Sequence, residues 1–101
     1  AQNGKLKTIV IDAGHGGKDP GTQKAGLNEK NIVLAIALKL GKKIEESMPD
    51  VKVIYTRKKD VFVELNERAA IANRNKADVF VSIHVNANPY SSKLSGTETY
   101  V

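Results

Sequence analysis

The run "TIVI", residues 8–11, is four β-branched residues in a row. Successive side chains of a strand point to opposite faces, so an unbroken run of this kind suits a strand covered on both sides. Helical and extended patterns alternate beyond it. A helical pattern over "LNEKNIVLAIALKLGKKIEES" has apolar residues at 33, 36, 37, 40 and 44, broadened by Leu34 and Leu38. Asn28 stands as its N-cap, Leu27 is placed to staple onto Ile32, and Met48-Pro49-Asp50 ends it. "VKVIYTR" alternates as a second strand. "VELNERAAIANR" reads as a second helix on the spacing of Leu65, Ala69 and Ala72. "DVFVSIHVNA" is a third strand, with Val79, Val81, Ile83 and Val85 on one face and Phe80, Ser82, His84 and Asn86 on the other. "GTETYV" begins a fourth. Strands alternating with helices imply parallel pairing through right-handed crossovers. The expected fold is α/β, in three layers, with a mostly parallel central sheet flanked by helices.

In such sheets ligands bind outside the carboxyl ends of the strands. His15 lies just past that end of the first strand, within "GHGG". His84 lies near that end of the third strand, and Glu29 opens the helix after the first. Both histidines of the chain therefore fall on one edge. Each residue has an ordinary alternative. His15 is also a plausible polar loop residue, Glu29 a first-turn carboxylate favoured by the helix dipole, and His84 a core histidine satisfied by backbone. Their coincidence on one edge favours a metal set. Two imidazoles and one carboxylate are a recognised zinc triad that leaves a fourth position for water, the mark of a catalytic site. The connection over residues 16–27 is also longer than the ~2–6 residues usual between strand and helix, and long ordered loops are commonly functional. A phosphate cradle at "GHGGKDPG", with Lys18 supplying charge, fails on spacing: neither glycine-rich nucleotide motif is present.

Composition removes other classes. The 101 residues contain no cysteine, which excludes disulfides, thiolate nucleophiles and cysteine-based zinc sites. The net charge of +5 either favours acidic partners such as nucleic acid, anionic lipid or anionic wall polymer, or is simply a solvated basic surface. The lysines are scattered and the aromatics few, so the pattern is not one for nucleic acid. The apolar run at residues 32–38 is far short of the ~20 residues a membrane span needs. The opening "AQNGK" has neither the basic nor the apolar region of a signal peptide.

In this order, "VIDAGHGGKDPG", "LNEKNIVLAIALKL", "TR", "LNERAAIAN" and "VSIHVNA" resemble the zinc-dependent N-acetylmuramoyl-L-alanine amidases of bacterial cell-wall hydrolysis. The similarity runs from about Thr8 to the end of the chain. It implies that His15, Glu29 and His84 bind Zn2+, the same three residues reached from topology. It implies hydrolysis of the amide between N-acetylmuramic acid and L-alanine in peptidoglycan, at an extracytoplasmic location (periplasm, cell envelope or secreted). The alternative is an inactive zinc- or peptidoglycan-binding relative. On this reading residues 1–7 are a lead-in and residues 8–101 the amidase catalytic domain.

The family's catalytic glutamate lies in a later Glu-x-Gly-Phe-like stretch, which Glu64, Glu67 and Glu98 do not match. The domain is accordingly expected to be incomplete, with the general base beyond Val101 and residues 1–101 inactive by themselves. Asn86 and Arg57 are candidate substrate contacts: Asn86 orients substrate or a ligand or else caps a turn at the strand end, and Arg57 is a bidentate partner for a carboxylate or else sits in a surface salt bridge. Arg68 is expected to be structural. Asp12 is expected either to orient a ligand histidine or to end its strand on backbone donors.

Overall fold

The computed structural model describes residues 6–87 and 94–100, with side chains over residues 6–85. Strand β1 (Thr8–Ala13) is followed by a two-stranded hairpin, β2 (Gln23–Lys24) and β3 (Leu27–Asn28). Helix α1 (Glu29–Ser47), strand β4 (Lys52–Tyr55), helix α2 (Leu65–Arg74) and strands β5 (Val79–Ala87) and β6 (Leu94–Tyr100) complete the order. The main sheet runs β4-β1-β5-β6. β1 is parallel to β4, with Val10 opposite Ile54, and parallel to β5, with Ile11 opposite Val81. β6 returns antiparallel on β5. The carboxyl ends of β1, β4 and β5 therefore share one edge.

β1 is central and buried on both faces, as its sequence requires: Val10, Ile11 and Ala13 have no exposed surface. Ile9, Ile11 and Ala13 form one core with Val33 and Ala37 of α1 and Ile83 of β5, and the other inward valines of β5 pack around it. Each such aliphatic side chain contributes roughly 1.5–3 kcal/mol by leaving water. The buried positions of α1 are Glu29, Val33, Ala37 and Gly41. These form one i, i+4 row, so the helix presents Glu29 on the same line as its core residues. A Cβ at Gly41 would collide with the Tyr55 hydroxyl, so this glycine lets α1 lie close over β4. α2 covers the opposite face and completes the three layers. Among the described residues no helix is long and apolar enough to cross a membrane.

Several local expectations are corrected. The long loop contains the β2–β3 hairpin, turned by Ala25 and Gly26 at φ 52° and 77°. That pair of positive angles is what a two-residue hairpin turn demands. Asn28 is the N-cap of α1 but makes no capping bond with its side chain; its Oδ1 accepts from Gln23 Nε2 instead. Leu27 is 59% exposed rather than stapled down. α2 is rolled relative to the expected apolar stripe. Leu65 is 78% exposed, and Arg68 is the buried residue of the helix. The reason is electrostatic and lies under the site.

Candidate metal centre

After β1 the chain turns sharply. Gly14 N–H donates to the Ile83 carbonyl at 3.1 Å, and Gly16 and Asp19 exchange backbone bonds at 2.7 and 3.0 Å. This tight loop holds His15 at φ 63°, a left-handed conformation unfavourable to residues with a Cβ. It also brings Asp19 back beneath the ring, with Oδ2 2.9 Å from His15 Nδ1. The carboxylate is placed to accept from Nδ1–H, which turns the other ring nitrogen away from it. Nε2 points at Glu29 Oε2, 2.9 Å away. His84 Nδ1 lies 3.6 Å from that same oxygen. The two imidazoles meet edge to face, centroids 5.2 Å apart and planes at 88°. One ligand atom from each of His15, Glu29 and His84 lies within 4.8 Å of the others. The structure thus brings together the three residues that the sequence places on one edge.

Glu29 is fixed before any ion arrives. Its Oε1 accepts from Thr22 N–H at 2.9 Å and its Oε2 from Val85 N–H at 3.1 Å. Burial pushes its pKa up, but these two amides and the adjacent His15 outweigh that and hold it below the ordinary 4.5. Asp19 is held below 3.8, chiefly by its hydrogen bond to His15, with the Gly21 amide also lowering it against a modest burial effect. Both carboxylates are anionic at neutral pH.

Space is reserved around the cluster. A Cβ on Gly14 would sit 2.5 Å from His84 Cε1, and one on Gly21 would sit 2.6 Å from His15 Cδ2 and 2.8 Å from Glu29 Oε1. The two histidines open onto a cleft of 590 Å3, walled on the other side by Phe62, Glu64, Leu65 and Asn66. This donor chemistry suits a divalent ion: two nitrogens and one ionised oxygen converge, a carboxylate backs one imidazole, and glycines keep the surroundings open.

The remaining candidates stand elsewhere. Arg57 is buried, 3% exposed, so it is neither a surface ion pair nor a cation offered to the cleft. Its donors go to the carbonyls of Ala13, Gly14, Lys30 and Lys59. Asp12 touches neither histidine. It accepts from Thr56 Oγ1 at 2.7 Å, Arg68 Nη1 at 2.8 Å and Ser82 Oγ at 2.8 Å. That ion pair is what turns Arg68 inward and rolls α2. Glu67 pairs with Arg74 at the surface. The side chains of Asn86 and Glu98 lie outside the described residues. The sequence signal for Asp19 as a partner of His15 is the i, i+4 spacing of an acid after a histidine in a glycine-rich turn.

Residues 9–101 match the model of a protein family described as N-acetylmuramoyl-L-alanine amidase. The chain belongs to this family. The endolysin of Bacillus phage SPP1 is 51% identical over 94 residues, covering 93% of this chain and 33% of the endolysin. The sporulation-specific N-acetylmuramoyl-L-alanine amidase of Bacillus subtilis is 43% identical, over 92% of this chain and 35% of that protein. The crystal structure of an N-acetylmuramoyl-L-alanine amidase from Clostridium difficile 630 superposes with a TM-score of 0.78. It is 40% identical and covers 90% of this chain and 50% of that one. The chain spans about a third of the length of these two curated relatives.

Proposed function

We propose that this chain contributes a zinc site to a peptidoglycan amidase that cleaves the bond between N-acetylmuramic acid and L-alanine outside the cytoplasm. The observation that carries the reading is the convergence of His15, Glu29 and His84 on one sheet edge at the mouth of a cleft; family membership supplies the substrate class. When bound, zinc supplies Lewis acidity and an acidified water, the means of attacking an unactivated amide. The chain's own residues do the rest of what is visible. Asp19 keeps a proton on His15 Nδ1 and so keeps Nε2 available as a ligand. The amides of Thr22 and Val85 keep Glu29 ionised and aimed. Phe62 and Leu65 give the cleft an apolar wall against which substrate excludes water.

The test is release of stem peptides with a free L-alanine amino terminus from purified muropeptide. It is run on this chain and on chains as long as the relatives, each with zinc and with chelator. Zinc-dependent release at the longer length is expected. Zinc-loaded protein that leaves the amide intact at every length would refute the assignment.

Metal affinity should fall with acid. Ligand imidazoles bind metal only when deprotonated, and imidazoles ordinarily titrate near ~6.5. Glu29, held below its usual range, stays ionised through that interval, so the histidines alone set the loss. Affinity is therefore full at alkaline pH and declines as pH drops through the imidazole range. Zinc titration against a competing chelator at several pH values checks this, and a flat profile down to pH ~5 would exclude histidine ligation.

Gly14→Ala tests the reserved space. The added methyl meets the His84 ring at 2.5 Å and must swing it away. Zinc affinity is expected to drop ~10-fold or more, in the range found when ligand orientation is disturbed. Unchanged affinity in the folded variant would show that the ring position is not what the glycine protects.

A further inference from the structure

Two buried arginines hold three consecutive backbone carbonyls at the end of β1. Arg57 Nε donates to the Ala13 carbonyl at 3.0 Å and its Nη2 to that of Gly14 at 2.8 Å. Arg68 Nη1 donates to the Ala13 carbonyl at 2.7 Å and its Nη2 to that of His15 at 2.7 Å. Both residues are 3% exposed. Burying two like charges side by side is expensive, and the structure sets one buried carboxylate, Asp12, against them. Ordinary turns satisfy carbonyls with backbone amides or water at far lower cost.

What the guanidiniums add is shape: several donors in one rigid plane, reaching successive carbonyls of a chain that has left its sheet. The residue so held is His15, in a conformation that residues with a Cβ avoid by ~1–2 kcal/mol. Its side chain is 23% exposed, so its direction rests on the backbone that carries it and on the Asp19 carboxylate at Nδ1. Arg68 is anchored in turn. Its Nε holds the Val63 carbonyl just before α2, and Asp12 is pinned by Thr56, just past β4, and by Ser82 of β5.

We infer that Arg68 and Arg57 are positioning residues for the metal ligand His15, setting its backbone conformation and hence where Nε2 points. The inference rests on the metal reading above. It assigns the pair to the geometry of the ligand set and not to substrate contact.

The test compares zinc affinity of the unmutated chain with that of Arg68→Lys and Arg57→Lys, which keep the charge and lose the fork. Val53→Ala serves as a control that loosens β4 away from the site. A loss of ~10–100-fold is expected for the arginine variants and none for the control. Cobalt substituted for zinc reports the ligand field. At equal occupancy its visible bands should shift in the arginine variants and stay fixed in Val53→Ala, a change that simple destabilisation does not produce. A folded lysine variant with unaltered affinity and bands overturns the inference while leaving the metal reading intact.

Nitrogen-15 relaxation on the unmutated chain, with or without metal, tests the clamp independently and needs no variant to fold. Rotation about the Cζ–Nη bonds of Arg68 should be slow. Free rotation overturns the inference, whereas absence of zinc binding by the unmutated chain overturns the metal reading.

Discussion

Replacing His84 by alanine is expected to lower zinc affinity by ~10²–10³-fold while leaving the fold intact. Structural zinc sites bind with about 10–16 kcal/mol over four ligands, which is roughly 2.5–4 kcal/mol per ligand. His84 is one of three, and its loss leaves an imidazole and a carboxylate that cannot close a site. The fold survives because the side chain is 33% exposed at the mouth of the cleft, outside the aliphatic cluster. Chelator competition measures the affinity and far-ultraviolet circular dichroism the fold. A change under about threefold would remove His84 from the ligand set.

Asp12→Ala is expected to destabilise the chain by about 3–5 kcal/mol, the usual result of removing one partner from a buried ion pair. Asp12 is 4% exposed, and without it Arg68 and Arg57 face each other with no buried counter-charge. Against a typical net stability of about 5–15 kcal/mol this is a large share. Asp12→Asn should cost less, about 1.5–3 kcal/mol. The amide oxygen can still receive Thr56 and Arg68, and the amide nitrogen can donate to the Ser82 hydroxyl, so geometry is kept and charge is lost. Urea denaturation of the two variants gives the ranking. Equal stabilities would mean that the charge on Asp12 is unimportant, and a loss below ~1 kcal/mol in the alanine variant would contradict the burial itself.

The convergence of His15, Glu29 and His84 was legible because topology does the work. A β-branched run at residues 8–11 and an alternating strand pattern at 79–85, separated by helical patterns, point to a parallel sheet. A parallel sheet puts His15, Glu29 and His84 on its carboxyl edge whatever the details of the loops. Asp19 was not legible in the same way. Its contact with His15 depends on the backbone bridge from Gly16 to Asp19, a matter of turn geometry that leaves no periodic trace. Arg57 was misplaced for a related reason. A charge-based reading offers it to substrate or to a surface salt bridge, whereas it is buried on backbone carbonyls. Arg68 has the structural role expected of it, but the stripe of Leu65, Ala69 and Ala72 pointed α2 the wrong way. A polar knot of Asp12, Ser82, Thr56 and Arg68 overrode the weak apolar preference of an alanine-rich helix. Hydrophobic periodicity detects cores made of hydrocarbon, and this face of the sheet has a core made partly of charge.

The two amide bonds to Glu29 bear on which ion the site would accept. With Oε1 taken by Thr22 and Oε2 shared among Val85 and the imidazoles, neither oxygen is free to turn, and the carboxylate is poorly placed to grip a cation through both at once. Calcium seeks six to eight oxygens and often a bidentate carboxylate, and magnesium prefers a shell of oxygens and retained water. A pair of imidazoles beside a carboxylate locked in a one-oxygen mode offers neither. Selectivity against calcium and magnesium would thus be built into denticity, set by the two backbone hydrogens that hold Glu29.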